Sequence, residues 1–162
     1  MASTITASTL KVTIQEDIKL NGVQQGGVNT LNIGSVNEIY KRIVTCPADV
    51  DTTLAVFKST TAVADAALDI QDVKYIRVTN LDDSNSVNLS LQVDVAEDDS
   101  GADESATLLL EAGKSFMMGS PHDAINVNDT NASILTSLVD LESILIDPSA
   151  NAVDVEIFIA SV

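Results

Sequence analysis

The chain has 162 residues, of which 24 are acidic and eight are basic, so its formal net charge is −16. The length suits one domain, and the charge repels the phosphates of nucleic acids and of anionic membranes, which excludes both as partners. Val, Ile and Leu supply 47 residues for a core, and Val and Ile outnumber Leu by about two to one, which favours strands over helices.

The first predicted elements follow from alternating apolar and polar residues. Residues 9–20 alternate with one interruption, at Glu16, and predict a strand. The Asn21-Gly22 pair after them predicts a tight hairpin turn, because these residue types accept the positive φ angles that such turns need. Residues 28–34 predict a second, short strand.

The strand predicted over residues 37–46 carries charged and apolar side chains on both faces. Lys41 lies beside Ile39 on one face, and Arg42 lies beside Tyr40 on the other. A strand with two mixed faces is typical of a sheet edge or of a contact between subunits.

The middle of the chain alternates strand and turn. Residues 52–58 predict a strand. The alanine-rich residues 59–72 predict an extended or irregular segment, since they have neither a capping box nor a clear apolar stripe, and a short helical turn there stays open. Residues 73–81 and 86–95 predict two strands that flank the turn "DDSN". Because the two strands follow each other closely, we expect them to pair as an antiparallel hairpin.

The C-terminal third contains short elements broken by Gly, Pro, Asn and Asp. Further strands are predicted over residues 106–111, 115–118, 124–128 and 153–162. Residues 132–145 leave an alternative open. Apolar residues recur there at helical spacing, which indicates one short helix; they are Ile134, Leu138, Leu141 and Leu145. Without that helix, the segment contains a strand that ends at the turn around Pro148.

About ten strands and at most one short helix predict an all-β fold, an antiparallel β-sandwich or jelly-roll-like domain. We expect a single domain over residues 1–162, in which residues 1–9 form an N-terminal contact arm. The arm is uncharged up to Lys11 and rich in Ser and Thr, so it can add a strand to the edge of a neighbouring sheet.

Catalytic chemistry has little support in the sequence. His122 is the sole histidine, and its neighbour Asp123 does not orient an imidazole merely by being adjacent. Cys46 lies in an apolar, strand-like context, and no serine lies in a nucleophile elbow. We therefore predict no enzyme. A triad assembled in space stays open, and it would require a nucleophile beside His122.

Calcium is the one metal that the composition allows, since a single Cys and a single His cannot build a structural zinc site. Residues 82–85, 97–104 and 126–131 are loops rich in Asp, Asn or Glu. The candidate carboxylates are those of Asp82, Asp83, Asp98, Asp99 and Asp103. No loop has EF-hand spacing, so we predict no cofactor and interpret residues 97–104 as a solvated strand connection, with a bound calcium as the open alternative.

Two stretches carry a resemblance to a known class of proteins. They are "VKYIRVTNLDDSNSVNLSLQVD" and "ATLLLEAGKSFMMG", which together lie within residues 73–119. A strand ending in "TNLD", a polar turn, an alternating strand and a later "LEAGKSF" resemble a pattern in small virion structural proteins of tailed bacteriophages, especially marine ones. The resemblance implies a jelly-roll-like protein on a capsid or tail.

Among virion roles, the acidic charge favours a decoration (cement) protein on the capsid exterior over a protein that contacts packaged DNA. That role implies the major capsid protein and copies of the same chain as partners, a homotrimer, and no nucleic acid or membrane. The first residues lack the basic and apolar stretches of a signal peptide, so we expect synthesis in a host cytoplasm and a location in the virion.

Candidate contact residues are Leu10 near the N-terminal arm, Tyr40 and Arg42 on the mixed strand, and Phe158 near the C-terminus. Two other roles stay open. The chain could be a tail, head–tail connector or fibre component, or it could be a receptor- or glycan-binding module. Sugar-binding sites usually stack sugars on Trp or Tyr, whereas this chain has no Trp and only two Tyr, both within predicted strands.

Overall fold

The computed structural model describes residues 5–59, 67–93, 104–128 and 133–162. Within these ranges the backbone forms thirteen β-strands and no helix, which confirms the all-β prediction. The described residues accordingly provide no helix long and apolar enough to cross a membrane. The strands are β1 (Ser8–Gln15), β2 (Lys19–Leu20), β3 (Val23–Gln24), β4 (Val28–Val36), β5 (Glu38–Cys46), β6 (Thr52–Lys58), β7 (Leu68–Asp69), β8 (Val73–Asn80), β9 (Val87–Val93), β10 (Glu104–Leu110), β11 (Ser115–Met118), β12 (Leu141–Asp147) and β13 (Val153–Ser161).

Two sheets form the body of the molecule. The five-stranded sheet has the order β10-β9-β12-β6-β7, and the four-stranded sheet has the order β11-β8-β13-β5. Neighbouring strands are antiparallel, except in the short β6–β7 pair. The strand pairs β1-β4 and β2-β3 form two small sheets near the N-terminus. The architecture is a β-sandwich with an additional N-terminal hairpin.

The hydrophobic core lies between the two large sheets. On β13, Val153, Val155, Ile157 and Ile159 are at most 1% exposed, and they alternate with more exposed residues along the first part of the strand. The five-stranded sheet adds apolar side chains of β6, β9 and β12 to the same buried cluster. Each sheet thus buries one row of alternate residues against the other, as the period of two requires.

The predicted hairpin of the strands that flank "DDSN" is wrong, because β8 and β9 lie in different sheets. Asn80, the last residue of β8, is buried, and its side chain stabilises the connection from β8 to β9. Its amide donates to the carbonyls of Asn85 and Leu110, and its carbonyl accepts from the Asp82 N–H. Alternation along successive strands determines which side chains are buried, but it does not determine which strands pair.

The helix alternative for residues 132–145 is also wrong where the structure describes this segment, from residue 133 onward. β12 begins at Leu141 and lies between β9 and β6, where its backbone pairs with both neighbours. Val139, just before it, forms an isolated antiparallel bridge with Ile125. That bridge replaces the short strand predicted around Ile125. Pairing with other parts of the chain therefore outweighs the helical spacing.

The N-terminal strands agree with the predicted hairpin turn. The strand predicted over residues 9–20 is divided into β1 and β2 by a short irregular stretch, and the turn between β2 and β3 lies at Asn21-Gly22. Asn21 and Gly22 have φ angles of 51° and 80°. Two successive residues with positive φ are typical of a primed hairpin turn, so this prediction is confirmed.

The irregular segment predicted over residues 59–72 is described only at its ends. Its C-terminal part contains β7, which pairs in parallel with the end of β6. Residues 60–66 lie outside the described ranges, so the prediction for that stretch stays a prediction.

Candidate functional site

The N-terminal hairpin, residues 8–36, is an amphipathic ribbon. Its register places Leu10 opposite Ile33 and Val12 opposite Leu31, which puts these four side chains on one face. The other face carries the polar pairs Lys11 with Asn32 and Thr13 with Thr30. The hairpin therefore has one apolar face and one polar face along β1 and β4.

The base of this hairpin packs against the outer face of the four-stranded sheet. Val36, Tyr75 and Ala160 form a second buried cluster there, separate from the core of the sandwich. Leu10 and Phe158, both predicted as contact residues, pack against this cluster. The Phe158 ring lies edge-on to the ring of Tyr75, with 6.1 Å between the ring centroids. The structure thus brings these two predicted residues together within one molecule.

The tip of the hairpin, residues 16–27, is more exposed than the base. Its aliphatic side chains are those of Ile18, Leu20 and Val23, which are 49%, 57% and 58% exposed. A two-stranded ribbon gains little stability in water by itself. Neighbouring exposed aliphatic residues on such a ribbon make it a candidate contact surface.

An apolar cleft opens between the hairpin and the edge strand β11. Its volume is about 380 Å³, and Val12, Ile14, Asn29, Thr30, Leu31, Tyr75, Met117, Met118 and Gly119 line it. None of these side chains carries a charge, although the chain as a whole has a net charge of −16. The cleft and the hairpin tip together form the candidate interface.

Gly26 permits the close backbone contact at the start of the tip. A Cβ atom on Gly26 would lie 2.0 Å from the carbonyl oxygen of Glu16, a distance at which the backbone must move. A Cβ atom on the adjacent Gly27 would meet nothing within 4 Å. The Glu16 N–H donates to the Gly27 carbonyl at 2.9 Å, so the two chains of the hairpin stay joined here.

Tyr40 and Arg42 lie on β5, which is an edge strand of the four-stranded sheet. The Tyr40 hydroxyl donates to the Leu54 carbonyl at 3.1 Å and so joins the two large sheets. The Arg42 guanidinium donates to the same hydroxyl, also at 3.1 Å. On the opposite face of β5, Ile39 and Ile43 are exposed. The sheet edge predicted from the mixed faces of this strand is therefore present.

The predicted N-terminal arm is described only from residue 5 onward. Ile5 is exposed, and the second half of the arm continues into β1, which begins at Ser8. Sequence analysis did not single out the tip as a candidate contact surface. Its signal was the group of apolar residues Ile18, Leu20 and Val23 around a hairpin turn, whereas residues 9–20 were predicted only as a strand.

His122 lies between two carboxylates. Its Nδ1 atom is 2.8 Å from an Asp140 oxygen, and its Nε2 atom is 3.3 Å from an Asp123 oxygen. A general base needs one ring nitrogen facing a nucleophile and the other facing its orienting carboxylate. Here both nitrogens face carboxylates, so the arrangement does not fit the predicted alternative of a triad. Ser59 lines the same depression, but no hydrogen bond joins it to His122.

Asp140, which sequence analysis did not single out, holds the loop around His122. One of its oxygens accepts from the Asp123 N–H at 2.8 Å and also contacts the His122 ring. Among the described residues, these three form the one group of three or more His, Cys, Asp or Glu ligand atoms within 4.8 Å. Because its contacts join two chain segments, we interpret this group as a structural polar network that holds the two segments together.

Asp82 has a structural role in the turn between β8 and β9. One of its oxygens accepts from the backbone N–H groups of Ser84 and Asn85, at 2.8 and 2.7 Å. These hydrogen bonds lower the pKa of Asp82 below its ordinary value, and the one from the Asn85 backbone contributes most. The neighbouring Asp83 accepts from the Ser84 hydroxyl at 2.9 Å. The remaining calcium candidates, Asp98, Asp99 and Asp103, lie outside the described residues.

Cys46 is fully buried at the end of β5 and belongs to the core of the sandwich. Burial raises the pKa of its thiol above the ordinary value, which favours the neutral form. A neutral, buried thiol is a poor nucleophile. This environment agrees with the packing role expected from its apolar sequence context.

Comparisons with known proteins give no family for this chain. No family model matches it, and no curated protein matches it in sequence. A chain from a solved structure, titled "Bacillus endospore appendages form a novel family of disulfide-linked pili", is similar at a TM-score of 0.38 and 8% identity. The match covers 100% of this chain and 96% of that chain. At that TM-score, the likeness supports no functional statement.

Proposed function

We propose that this chain is a non-enzymatic structural subunit that joins a larger assembly through its N-terminal hairpin. The observation that supports this role is the exposed row of aliphatic residues at the hairpin tip, next to an uncharged cleft. Burying one aliphatic side chain stabilises a contact by about 1.5–3 kcal/mol. A partner that covers the tip would gain this stabilisation, which an isolated molecule in water lacks.

The assembly in our proposal is the capsid of a tailed bacteriophage, with the chain as a decoration protein on its exterior. The resemblance of residues 73–119 supports this choice, and the described part of that region forms the four consecutive strands β8 to β11. The charge distribution is a second support. Residues 5–36 hold two basic and two acidic side chains, so the acidic excess lies elsewhere. A neutral hairpin suits attachment, whereas an acidic body suits a surface facing solvent.

The partners in this proposal are the major capsid protein and further copies of the chain, with a homotrimer as the expected oligomer. Leu10 and Phe158 would act by holding the hairpin against the sandwich. Tyr40 and Arg42 would act on the edge strand β5, beside the exposed Ile39. The proposal includes no cofactor and locates the mature protein in the virion.

Particle binding by matched variants tests the role of the hairpin. Leu20→Asp puts a charge on the tip, and Leu109→Asp puts the same charge on β10 of the sandwich, at a leucine that is 61% exposed. We expect Leu20→Asp to lower the number of copies bound per particle at least tenfold and Leu109→Asp to leave it near the wild-type value. Equal binding by the two variants would overturn the attachment role of the hairpin.

The copy number separates the proposed capsid role from its alternatives. A decoration protein should approach the number of major capsid subunits per particle, measured by quantitative mass spectrometry of purified virions. Six or twelve copies would instead indicate a tail or connector component. Binding of the isolated protein to glycans or cells would indicate a receptor-binding module.

A further inference from the structure

We propose that the cleft beside β11 binds the hairpin tip of a second copy of this chain, so that subunits associate head to tail. The inference rests on the proposed role of the hairpin as an attachment element and names its partner. Two surfaces on one molecule carry it: the exposed aliphatic tip and the uncharged cleft. A single repeated contact covers both surfaces in every subunit except those at an open end.

The chemistry of the tip matches that of the cleft. The tip offers the exposed side chains of Ile18, Leu20 and Val23 around the Asn21-Gly22 turn. The cleft offers mainly aliphatic, aromatic and thioether groups, together with the polar side chains of Asn29 and Thr30 and no charge, in a volume of about 380 Å³. That volume lies within the range of roughly 300–1,000 Å³ found for ligand clefts. Methionines at its edge, Met117 and Met118, adapt readily to the shape of an aliphatic partner.

The distribution of charge favours a contact through the hairpin. Residues 5–36 contain Lys11, Glu16, Asp17 and Lys19, so their charges cancel. The remainder of the chain holds six basic and 22 acidic side chains, which is the whole net charge of −16. Two copies that met through their sandwich surfaces would repel each other. Two copies that meet through a neutral tip and an uncharged cleft avoid most of this repulsion.

The tip does not reach the cleft of its own molecule. None of Ile18, Leu20 and Val23 lines the cleft of its own molecule, and all three side chains stay about half exposed. The Asn21-Gly22 turn then returns the chain alongside itself, as β2 pairs with β3. A second molecule is therefore the source of the tip that fills each cleft.

A contact between two different surfaces is heterologous. Such a contact closes into a ring when the rotation between neighbours divides a full turn, and it otherwise continues as a filament. A closed ring of three copies would agree with the homotrimer expected for a decoration protein. The contact itself is the same in a ring and in a filament.

Mixing two variants tests this contact directly. Leu20→Asp disables the tip and leaves the cleft intact, whereas Met117→Asp disables the cleft and leaves the tip intact. Each variant alone should be monomeric in sedimentation velocity, with self-association at least tenfold weaker than in the wild-type protein. An equimolar mixture should form a 1:1 heterodimer, in which the intact tip of Met117→Asp binds the intact cleft of Leu20→Asp.

Controls keep the test independent of folding. Leu109→Asp, on the sandwich, should self-associate like the wild-type protein. Leu31→Asp is a second cleft variant, which replaces Met117→Asp if circular dichroism shows that the latter does not fold. It should likewise form a heterodimer with Leu20→Asp.

Three results would overturn the inference: a wild-type protein that stays monomeric up to millimolar concentration, variants that associate as well as the wild type, or a mixture that stays monomeric. A tip-to-tip contact would produce the second result, since Met117→Asp keeps an intact tip and would associate as well as the wild type. Particle binding is measured separately. A monomeric wild-type protein that binds particles through its hairpin would contradict the tip-to-cleft contact and leave the proposed function intact.

Discussion

β13 and β1 have similar alternating sequences and different surroundings. The apolar row of β13, including Val155 and Ile157, is completely buried between the two large sheets. The apolar row of β1 is half-buried at Leu10 and becomes exposed at Ile14, which lines the open cleft beside β11. An alternating pattern therefore predicts which side chains share a face, but it does not predict whether the same molecule covers that face.

This difference separates the residues that hold the fold from those available for contacts. The sandwich buries large aliphatic and aromatic side chains, among them Phe57, Ile144 and Ile157. The hairpin tip buries none of its large apolar side chains, and in the described part of the chain its strands β2 and β3 form a separate two-stranded sheet. Substitutions in the two regions should consequently change different measurements: the free energy of unfolding for the sandwich, and association for the hairpin.

The largest expected effect is on stability. Phe57→Ala removes a fully buried ring from the core and should lower the free energy of unfolding by about 3–5 kcal/mol in urea denaturation. Leu20→Ala, at the exposed tip, should change it by less than about 0.5 kcal/mol in the monomer. A comparable loss of stability in both variants would show that the tip belongs to the folded core. The sandwich and the hairpin tip would then not have separate roles in stability and association.

Asn80→Ala tests whether buried polar contacts also stabilise the sandwich. The Asn80 amide donates to carbonyls of Asn85 and Leu110, and removing it leaves these acceptors without that donor. We expect a loss of about 2–3 kcal/mol in the same urea measurement. Asn151→Ala removes an exposed hydrogen bond to Asn85 and is the control, with an expected loss under about 0.5 kcal/mol. Equal losses would mean that burial of the amide is unimportant.

Gly26→Ala should weaken association without touching any apolar contact. The added Cβ atom would meet the Glu16 carbonyl oxygen at 2.0 Å, so the backbone at the start of the tip must shift. We expect the dissociation constant between copies, measured by sedimentation, to rise about tenfold, which is about 1.4 kcal/mol. Gly27→Ala, with open space around its Cβ atom, should raise it less than about twofold. Identical dissociation constants for the two variants would show that the contact between copies does not depend on the backbone geometry of the tip.

Much of the fold could be predicted from local pattern. Alternating residues identified most of the longer strands, and Asn21-Gly22 identified the first turn. The separation of β8 and β9 into different sheets could not be predicted, because the connection between them is held by the buried Asn80 side chain and its acceptors. Those acceptors include the carbonyl of Leu110, which lies 30 residues further along the chain.

The candidate interface was harder to predict than the fold. Leu10 and Phe158 were singled out as contact residues, and they meet inside one molecule. Leu20 and Val23 are exposed because they belong to neither buried cluster, which no local pattern reveals. Asp140 approaches His122 from 18 residues away, so adjacency in sequence drew attention to Asp123 alone.

The smallest expected effect concerns charge on the outer face of the four-stranded sheet, beside the Phe158 ring that the hairpin base packs against. Glu156 pairs with Lys41 at 3.1 Å and with Arg77, and Arg77 in turn lies over the Phe158 ring. The hydrogen bond from Lys41 and the charge of Arg77 lower the pKa of Glu156 below its ordinary value of 4.5. The ion pairs of Glu156 therefore stabilise the folded protein fully above about pH 4.5. This stabilisation disappears as the pH falls through the lower pKa that Glu156 has in the folded protein.

Glu156→Gln should flatten this pH dependence. The wild-type protein should be more stable than the variant at pH 7 by less than about 1 kcal/mol, since the partners are partly exposed, and the gap should close on acidification below pH 4.5. Urea denaturation at a series of pH values measures the gap. Glu111→Gln, at the exposed turn after β10, is the control and should follow the wild-type curve. If the stability difference between wild type and variant widened on acidification, the ion pairs would not stabilise the charged form of Glu156. Glu156 would then contribute no stability to the outer face.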